Sequence, residues 1–131
     1  MQENKFKREI LAIVEAKGLC SVMNNTKWRE LQAAMETLAF PPPYQIKQVH
    51  KPCTAEFAED VWYVGDWSDE AMQPFFAIEW IQVRPRYTKH VGQLVKPTVI
   101  DETAEFQAVL QSCHIPYEED GHGGFMIYGY R

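Results

Sequence analysis

Long apolar runs, paired cysteines and an excess of positive charge are all missing from this sequence. No stretch approaches the roughly 18 consecutive apolar residues that a membrane-spanning helix needs, so no membrane segment is expected. The three cysteines, Cys20, Cys53 and Cys113, contain no Cys-x-x-Cys pair. This argues against a disulfide framework and favours a reducing, cytoplasmic location. The chain also starts with a charged, helix-like segment and not with a hydrophobic signal region.

Positive charge is scarce in the second part of the chain in particular. Residues 52–131 hold five Lys or Arg against thirteen Asp or Glu, a net charge of −8, whereas residues 1–51 have a net charge of +3. Phosphate binding needs clustered Lys and Arg, so binding to nucleic acid is disfavoured. A basic protein partner is favoured instead, and plain solubility is the alternative explanation.

The apolar pattern predicts three helices. The first covers residues 4–17 and ends at Gly18, and the second begins at Asn24 or Asn25 and ends before the prolines at 41–43. The third follows Asp101 and carries Phe106, Val109, Leu110 and Cys113 on one face.

Strand patterns fill most of the remaining chain. They cover residues 44–49, 61–64 and 75–83 as a meander, and a final hairpin pairs 117–119 with 125–130. The element order is ααβββαββ, and no element is assigned to residues 87–99. We therefore predict a single α+β domain over residues 1–131, with an antiparallel sheet of about five strands packed by helices.

One acid interrupts the strand predicted over residues 75–83. Because side chains alternate across a strand, Glu79 shares a face with Phe75, Ala77, Ile81 and Val83. A buried carboxylate needs a partner or a raised pKa. Glu79 is therefore either a structurally paired acid or a catalytic acid or base. As its structural partner the candidates are Lys27, Arg29, Arg84 or a buried Tyr hydroxyl, of which we favour Lys27 or Arg29. It could also line a shallow binding groove.

Two acidic runs lie beside aromatic residues and form the predicted partner-binding site. The first contains Trp62, Tyr63, Asp66, Trp67, Asp69 and Glu70; the second contains Tyr117, Glu118, Glu119 and Asp120. Tyr and Trp anchors are enriched at protein interfaces, and acids beside rings suit a Lys- or Arg-rich partner. The alternative is that the loops are merely solvated and the rings belong to the core.

No metal site and no cofactor are predicted. His50, Cys53, Cys113 and His114 carry zinc-binding groups, but zinc ligands usually come in tight pairs on short knuckles. The glycine-rich segment 121–124 joins two strands, whereas phosphate-binding loops lead into a helix. Hairpin turn chemistry explains it better.

Three short segments together resemble a bacterial domain family of unknown function. They are Asn24-Asn-Thr-Lys-Trp-Arg-Glu30, Tyr44-Gln-Ile-Lys47 and Ile78-Glu-Trp80. The resemblance covers most of the chain from the second helix onward and implies a bacterial, cytoplasmic α+β domain with no assigned activity. Small acidic α+β domains of this size are common among immunity proteins that neutralise secreted toxins, which is an analogy of size and charge.

The sequence thus favours a non-enzymatic, immunity-like protein-binding domain with an acidic aromatic surface. Two alternatives remain open. One is a small hydrolase-like enzyme that uses Glu79 with a histidine. The other is a structural homodimer built through the same aromatic residues.

Overall fold

The computed structural model describes residues 2–53, 57, 61–90 and 92–131. Within them the helices are α1 (Gln2–Ala16), α2 (Asn25–Met35), α3 (Asp69–Met72) and α4 (Thr103–Ser112). The strands are β1 (Tyr44–Gln48), β2 (Ile78–Val83), β3 (Arg86–Lys89), β4 (Thr98–Asp101), β5 (Glu118–Glu119) and β6 (Phe125–Tyr128). This arrangement confirms the predicted α+β class.

Four of the strands form one antiparallel sheet in the order β1-β2-β6-β5, and β3 and β4 form a second, two-stranded sheet. Ile46, Ile81 and Ile127 lie opposite one another across three strands. Helices α2 and α4 cover this face, because their buried side chains belong to the same apolar cluster as Ile81 and Ile127. Burial of each large apolar side chain there stabilises the fold by about 1.5–3 kcal/mol.

The predicted helix signals are confirmed at α1 and α2. Gly18, two residues beyond the end of α1, adopts φ +68°, a conformation that glycine tolerates best. The side chain of Asn24 accepts a hydrogen bond of 2.8 Å from the backbone N–H of Lys27 and so caps α2. Helix α1 packs apart from the main core, with Ile10 and Val14 in a second buried cluster.

Two strand assignments from the sequence are wrong in part, and one strand pair was missed. Residues 61–64 form no strand, since only Val61 makes an isolated bridge, to Tyr87 of β3. The strand expected over 75–83 starts late, because Phe75–Ala77 is a 3₁₀ turn. Residues 87–99, left without assignment, contain most of the hairpin formed by β3 and β4.

The final hairpin and the third helix agree with the sequence. Glu118 and Glu119 of β5 pair with Met126 and Phe125 of β6. The carboxylate of Asp101 accepts a 2.8 Å hydrogen bond from the N–H of Thr103, the first residue of α4. None of the described helices combines the length and the apolar content that crossing a membrane requires.

Candidate functional site

A bulge in β2 turns Glu79 away from the main core. Lys47 and Gln48 of β1 lie opposite residues 80 and 78 of β2, so Glu79 is the extra residue between them. Such a bulge changes the face on which adjacent side chains lie. Ile78 joins the cluster beneath α2 and α4, while the side chain of Glu79 stays 18% exposed. The expectation that Glu79 shares the core face of Ile81 is therefore wrong.

Two lysines neutralise Glu79. Its Oε1 lies 3.0 Å from Nζ of Lys47, whose side chain is only 5% exposed, and 3.5 Å from Nζ of the half-exposed Lys17. Lys47 also donates to the Gln48 carbonyl, and Lys17 to the Val49 carbonyl. A nearly buried ammonium needs such partners because desolvation of a charge is costly.

The partners proposed for Glu79 from sequence are wrong. Lys27 donates a 2.6 Å hydrogen bond to the Cys113 carbonyl and lies 3.4 Å from Glu30. Arg29 lies 2.5 Å from Asp69 and packs over the Phe75 ring. Both side chains therefore tie α2 to neighbouring segments, and neither reaches the β2 bulge.

The described structure gives no geometric support to a Glu79–histidine pair. The hydrogen bonds of the Glu79 carboxylate that involve described residues come from lysines, and the His50 ring packs edge-on against Phe6 at 5.2 Å. Among the described residues, no three His, Cys, Asp or Glu side chains come together to hold a metal ion. Cys20, Cys53 and Cys113 are free thiols, the first two exposed.

The second acidic run is mostly occupied by intramolecular contacts. The Tyr117 ring packs against Phe125, and its hydroxyl oxygen accepts from Gln107 at 3.0 Å. Glu118 forms an ion pair with Arg131, while Glu119 is exposed. Of this run, only the exposed carboxylates could contact a partner.

Asp120 is the structural centre of the hairpin turn and not part of an accessible surface. Its side chain is 4% exposed and pairs with Arg84, which is 2% exposed. Burial alone would raise the pKa of Asp120, but hydrogen bonds from Gln82 and from the backbone of His122 and Gly124, together with the Arg84 charge, hold it below the ordinary value. Asp120 therefore cannot serve as a partner contact.

The first acidic run divides into anchored and exposed residues. Trp67 is 8% exposed, and its indole N–H donates to the Pro42 carbonyl at 2.9 Å, so this ring belongs to the core. Asp69 pairs with Arg29, and Glu70 is exposed. Hydrogen bonds from the side chain and backbone of Ser68 lower the pKa of the exposed Asp66 and keep its carboxylate charged.

At the start of this run, three consecutive large side chains with apolar surface lie in solvent. Trp62 is 75% exposed, Tyr63 46% and Val64 45%, and the Trp62 and Tyr63 rings contact edge-to-face at 6.1 Å. A contiguous exposed apolar patch is typical of an interaction site. Gly65 then brings the chain back to the body of the protein, where its N–H donates to the Pro41 carbonyl at 2.9 Å.

A cleft of about 370 Å³ opens beside this exposed patch. We call it the acidic cleft; its lining residues are Gln32, Met35, Glu36, Leu38, Pro41 and 65–68. Glu36 and Asp66 carry its negative charge, and Leu38 is half-buried. The cleft also faces the C-terminal end of α2, where the helix dipole favours a cation. Its chemistry suits a long basic side chain with an apolar stem.

Sequence reasoning missed the α2 side of the acidic cleft. Glu36 lies at the C-cap of α2, where an acid is unfavourable for the helix itself. This local conflict, just before the proline run, is the signal that could have identified it.

The two predicted acidic runs do not form one surface. The Tyr44 hydroxyl donates to the Asp66 carbonyl, so the first run lies at the β1 edge of the sheet. Burial and the charge of Asp66 raise the pKa of Tyr44 to about 12, which keeps that donor protonated. Glu119 lies at the β5 edge, three strand spacings or about 14 Å away.

A comparison with protein families gives a match over residues 10–131, to a model described as a family of unknown function (DUF6678). The chain belongs to this family. The DUF6678 match includes both sheets, the acidic cleft and the exposed patch at residues 62–64. No curated protein and no solved structure matches the chain.

Proposed function

We propose that this DUF6678 protein is a non-enzymatic binding domain that recognises a basic protein partner through the acidic cleft and the exposed patch beside it. The observation that carries the proposal is the run Trp62-Tyr63-Val64, exposed next to a concave site with two exposed carboxylates, Glu36 and Asp66. Large exposed rings beside a pocket are the usual anchors of protein interfaces.

Each part of this surface suits a lysine or arginine of the partner. The cation would gain from Glu36, from Asp66 and from the carbonyl end of α2. Its methylene stem would pack on Leu38 and Pro41. A second cation over the exposed face of Trp62 would add a cation–π contact worth about 0.5–2 kcal/mol.

The sharper form of the proposal is an immunity-like role in a bacterial cytoplasm, in which the partner is a basic toxin. Its support is the acidic net charge of −5 and the small α+β fold, and it remains an analogy of size and charge.

The test starts with a photo-cross-linking residue at position 62 in the native host, which identifies the protein that contacts this position. Binding of the purified partner is then measured by calorimetry for the wild type, Trp62→Ala and Glu36→Gln/Asp66→Asn. We expect Trp62→Ala to weaken binding by about 30-fold, the effect of losing an aromatic hot spot.

Leu11→Ala is the matched control for the ring, since Leu11 is a large apolar residue exposed on α1, and Glu9→Gln is the control for the carboxylates. Equal affinities of Trp62→Ala and Leu11→Ala would exclude the exposed patch as the binding surface. If the cross-linked partner were an acidic protein, recognition of a basic surface by Glu36 and Asp66 would be excluded.

A further inference from the structure

The hairpin formed by β3 and β4 extends into solvent as an arm. We use the word arm for β3, β4 and their connecting residues 90 and 92–97. Every described residue from Lys89 to Val99 is exposed, and Leu94 is 101% exposed, which leaves its whole side chain in water. Val95 and Val99 are also at least half exposed. Apolar side chains at the tip of a hairpin, with nothing packed on them, indicate a docking element.

The base of the arm is held firmly. The Tyr87 ring contacts Phe40 at a centroid distance of 4.3 Å, and the N–H of Thr88 donates to the Val61 carbonyl at 2.6 Å. Because Val61 directly precedes Trp62, the arm and the exposed patch are joined at this bridge. The two apolar surfaces therefore lie on one structural unit.

The charge of the arm is opposite to that of its surroundings. Its one acid is Asp101, which lies opposite Arg86 at the base, and residues 86–100 contain no Asp or Glu, although residues 52–131 as a whole carry −8. Lys89, His90 and Lys96 are exposed near the tip. The arm is thus apolar and basic, and its chemistry complements that of the acidic cleft.

We propose that the arm of one copy of this chain docks into the acidic cleft of a second copy. Leu94 packs on the apolar lining at Leu38 and Met35, and Lys96 pairs with Glu36 and Asp66. This inference rests on the proposed function, because it uses the same acidic cleft. It proposes that the arm of a second copy occupies the cleft when no basic partner is bound.

The contact is reciprocal. A stable interface needs roughly 1,000 Å² of buried surface, more than the tip of one hairpin offers. A two-fold axis places the arm of each copy in the cleft of the other and so doubles the buried surface. A basic partner that takes the cleft then competes with the second copy, so partner binding releases the arm by mass action.

The experiment measures the oligomeric state by sedimentation, from low micromolar to near-millimolar concentration under reducing conditions. We expect a concentration-dependent wild-type dimer. Leu94→Ser and Lys96→Glu should each weaken dimerisation about tenfold or more, whereas Leu11→Ser, at an apolar site on α1 that is 43% exposed and lies outside the arm and the cleft, leaves it unchanged. Because both arm residues are exposed, circular dichroism should show an unaltered fold.

A charge exchange makes the test specific. Lys96→Glu and Glu36→Lys each place like charges in the contact, so each alone should dimerise more weakly than the wild type. When the two variants are mixed, both contacts become complementary and a heterodimer forms.

A wild type that stays monomeric throughout the series, or a Lys96→Glu variant that dimerises with wild-type affinity, overturns the arm–cleft contact. Neither result affects the proposed function, whose own test is the loss of partner binding in Trp62→Ala.

Discussion

At the scale of single residues, Glu79 shows how one inserted residue changes the role of a side chain. Alternation along an unbroken strand would bury its carboxylate in the core, but the β2 bulge directs it to Lys47 and Lys17. The carboxylate then neutralises the charge of Lys47, whose side chain is only 5% exposed. Its role in the described structure is to hold β1, β2 and the end of α1 together.

Glu79→Gln should lower the free energy of unfolding by about 1–3 kcal/mol, since Lys47 would lose its counter-charge while remaining desolvated. We place the loss below that of a fully buried pair because Glu79 keeps 18% exposure. Urea unfolding at neutral pH measures it. Glu30→Gln is the control, because it removes an exposed pair with Lys27. An unchanged midpoint in Glu79→Gln would show that Lys47 does not depend on this carboxylate.

At the scale of elements, the segment around Gly65 determines where the exposed patch lies. The N–H of Gly65 donates a hydrogen bond to the Pro41 carbonyl, and two residues later the Trp67 indole donates one to the Pro42 carbonyl. A Cβ on Gly65 would lie 2.0 Å from the Pro42 carbonyl oxygen, far inside contact distance. Only glycine allows this approach, so the geometry of the acidic cleft depends on it.

Gly65→Ala should displace residues 62–67 and destabilise the protein by about 1–3 kcal/mol, as overpacking does. Gly92→Ala provides the control, because its added Cβ would meet only Val95 at an ordinary 3.5 Å. Thermal unfolding measures the loss of stability, and the affinity for the partner shows whether the geometry of the acidic cleft has changed. If both glycine variants behaved like the wild type, the loop would have to be more adaptable than the described contacts indicate.

At the scale of the whole molecule, two buried acids with opposite pKa shifts contribute to the response to acid. Burial raises the pKa of Glu102 despite hydrogen bonds from the Phe40 and Ala39 backbone, whereas the Asp120 pKa is lowered. A lowered pKa stabilises the fold above the unfolded-state pKa of about 3.9, and this contribution is lost as the pH falls through the lower folded value. Protonation of Glu102 acts in the opposite direction and favours the folded state.

Asp120→Asn should therefore cost about 3–5 kcal/mol at neutral pH, because it leaves the buried Arg84 without its counter-ion. The difference from the wild type should begin to shrink below about pH 4, where the unfolded wild-type chain starts to bind the proton, and it should shrink further as the pH falls through the lowered pKa of Asp120 in the folded state. Denaturant unfolding at pH 7 and pH 3 measures both quantities. Glu119→Gln, an exposed neighbour, should show neither effect. A difference that does not change with pH would contradict the role of the ionised carboxylate.

The features that were predicted correctly from the sequence depend on residues that are neighbours along the chain. The stripe of Trp28, Leu31 and Met35, the Asn24 cap and the β5–β6 hairpin each follow from residues a few positions apart. The bridge between Val61 and Tyr87 links residues 26 positions apart, and no local pattern records it. Residues 61–64 have a strand-like composition, but in the described structure only Val61 pairs with a strand, through that single bridge.

The candidate site was predictable only in part. Aromatic residues next to acids identified Trp62, Tyr63 and Asp66, but their exposure and the burial of Trp67 and Asp120 depend on contacts with Pro42 and Arg84. The Glu36 side of the cleft comes from a different helix. A sequence pattern selects residue types, whereas accessibility is decided by the tertiary packing around them.

The unequal burial of the four tryptophans makes the protein its own optical reporter. Trp28 and Trp67 are shielded and Trp80 is partly covered, so Trp62 alone emits from an almost aqueous environment. A soluble collisional quencher will act chiefly on that fluorophore. Docking of any molecule beside Trp62 can thus be followed in the unlabelled wild-type protein, because it increases the fraction of the tryptophan emission that the quencher cannot remove.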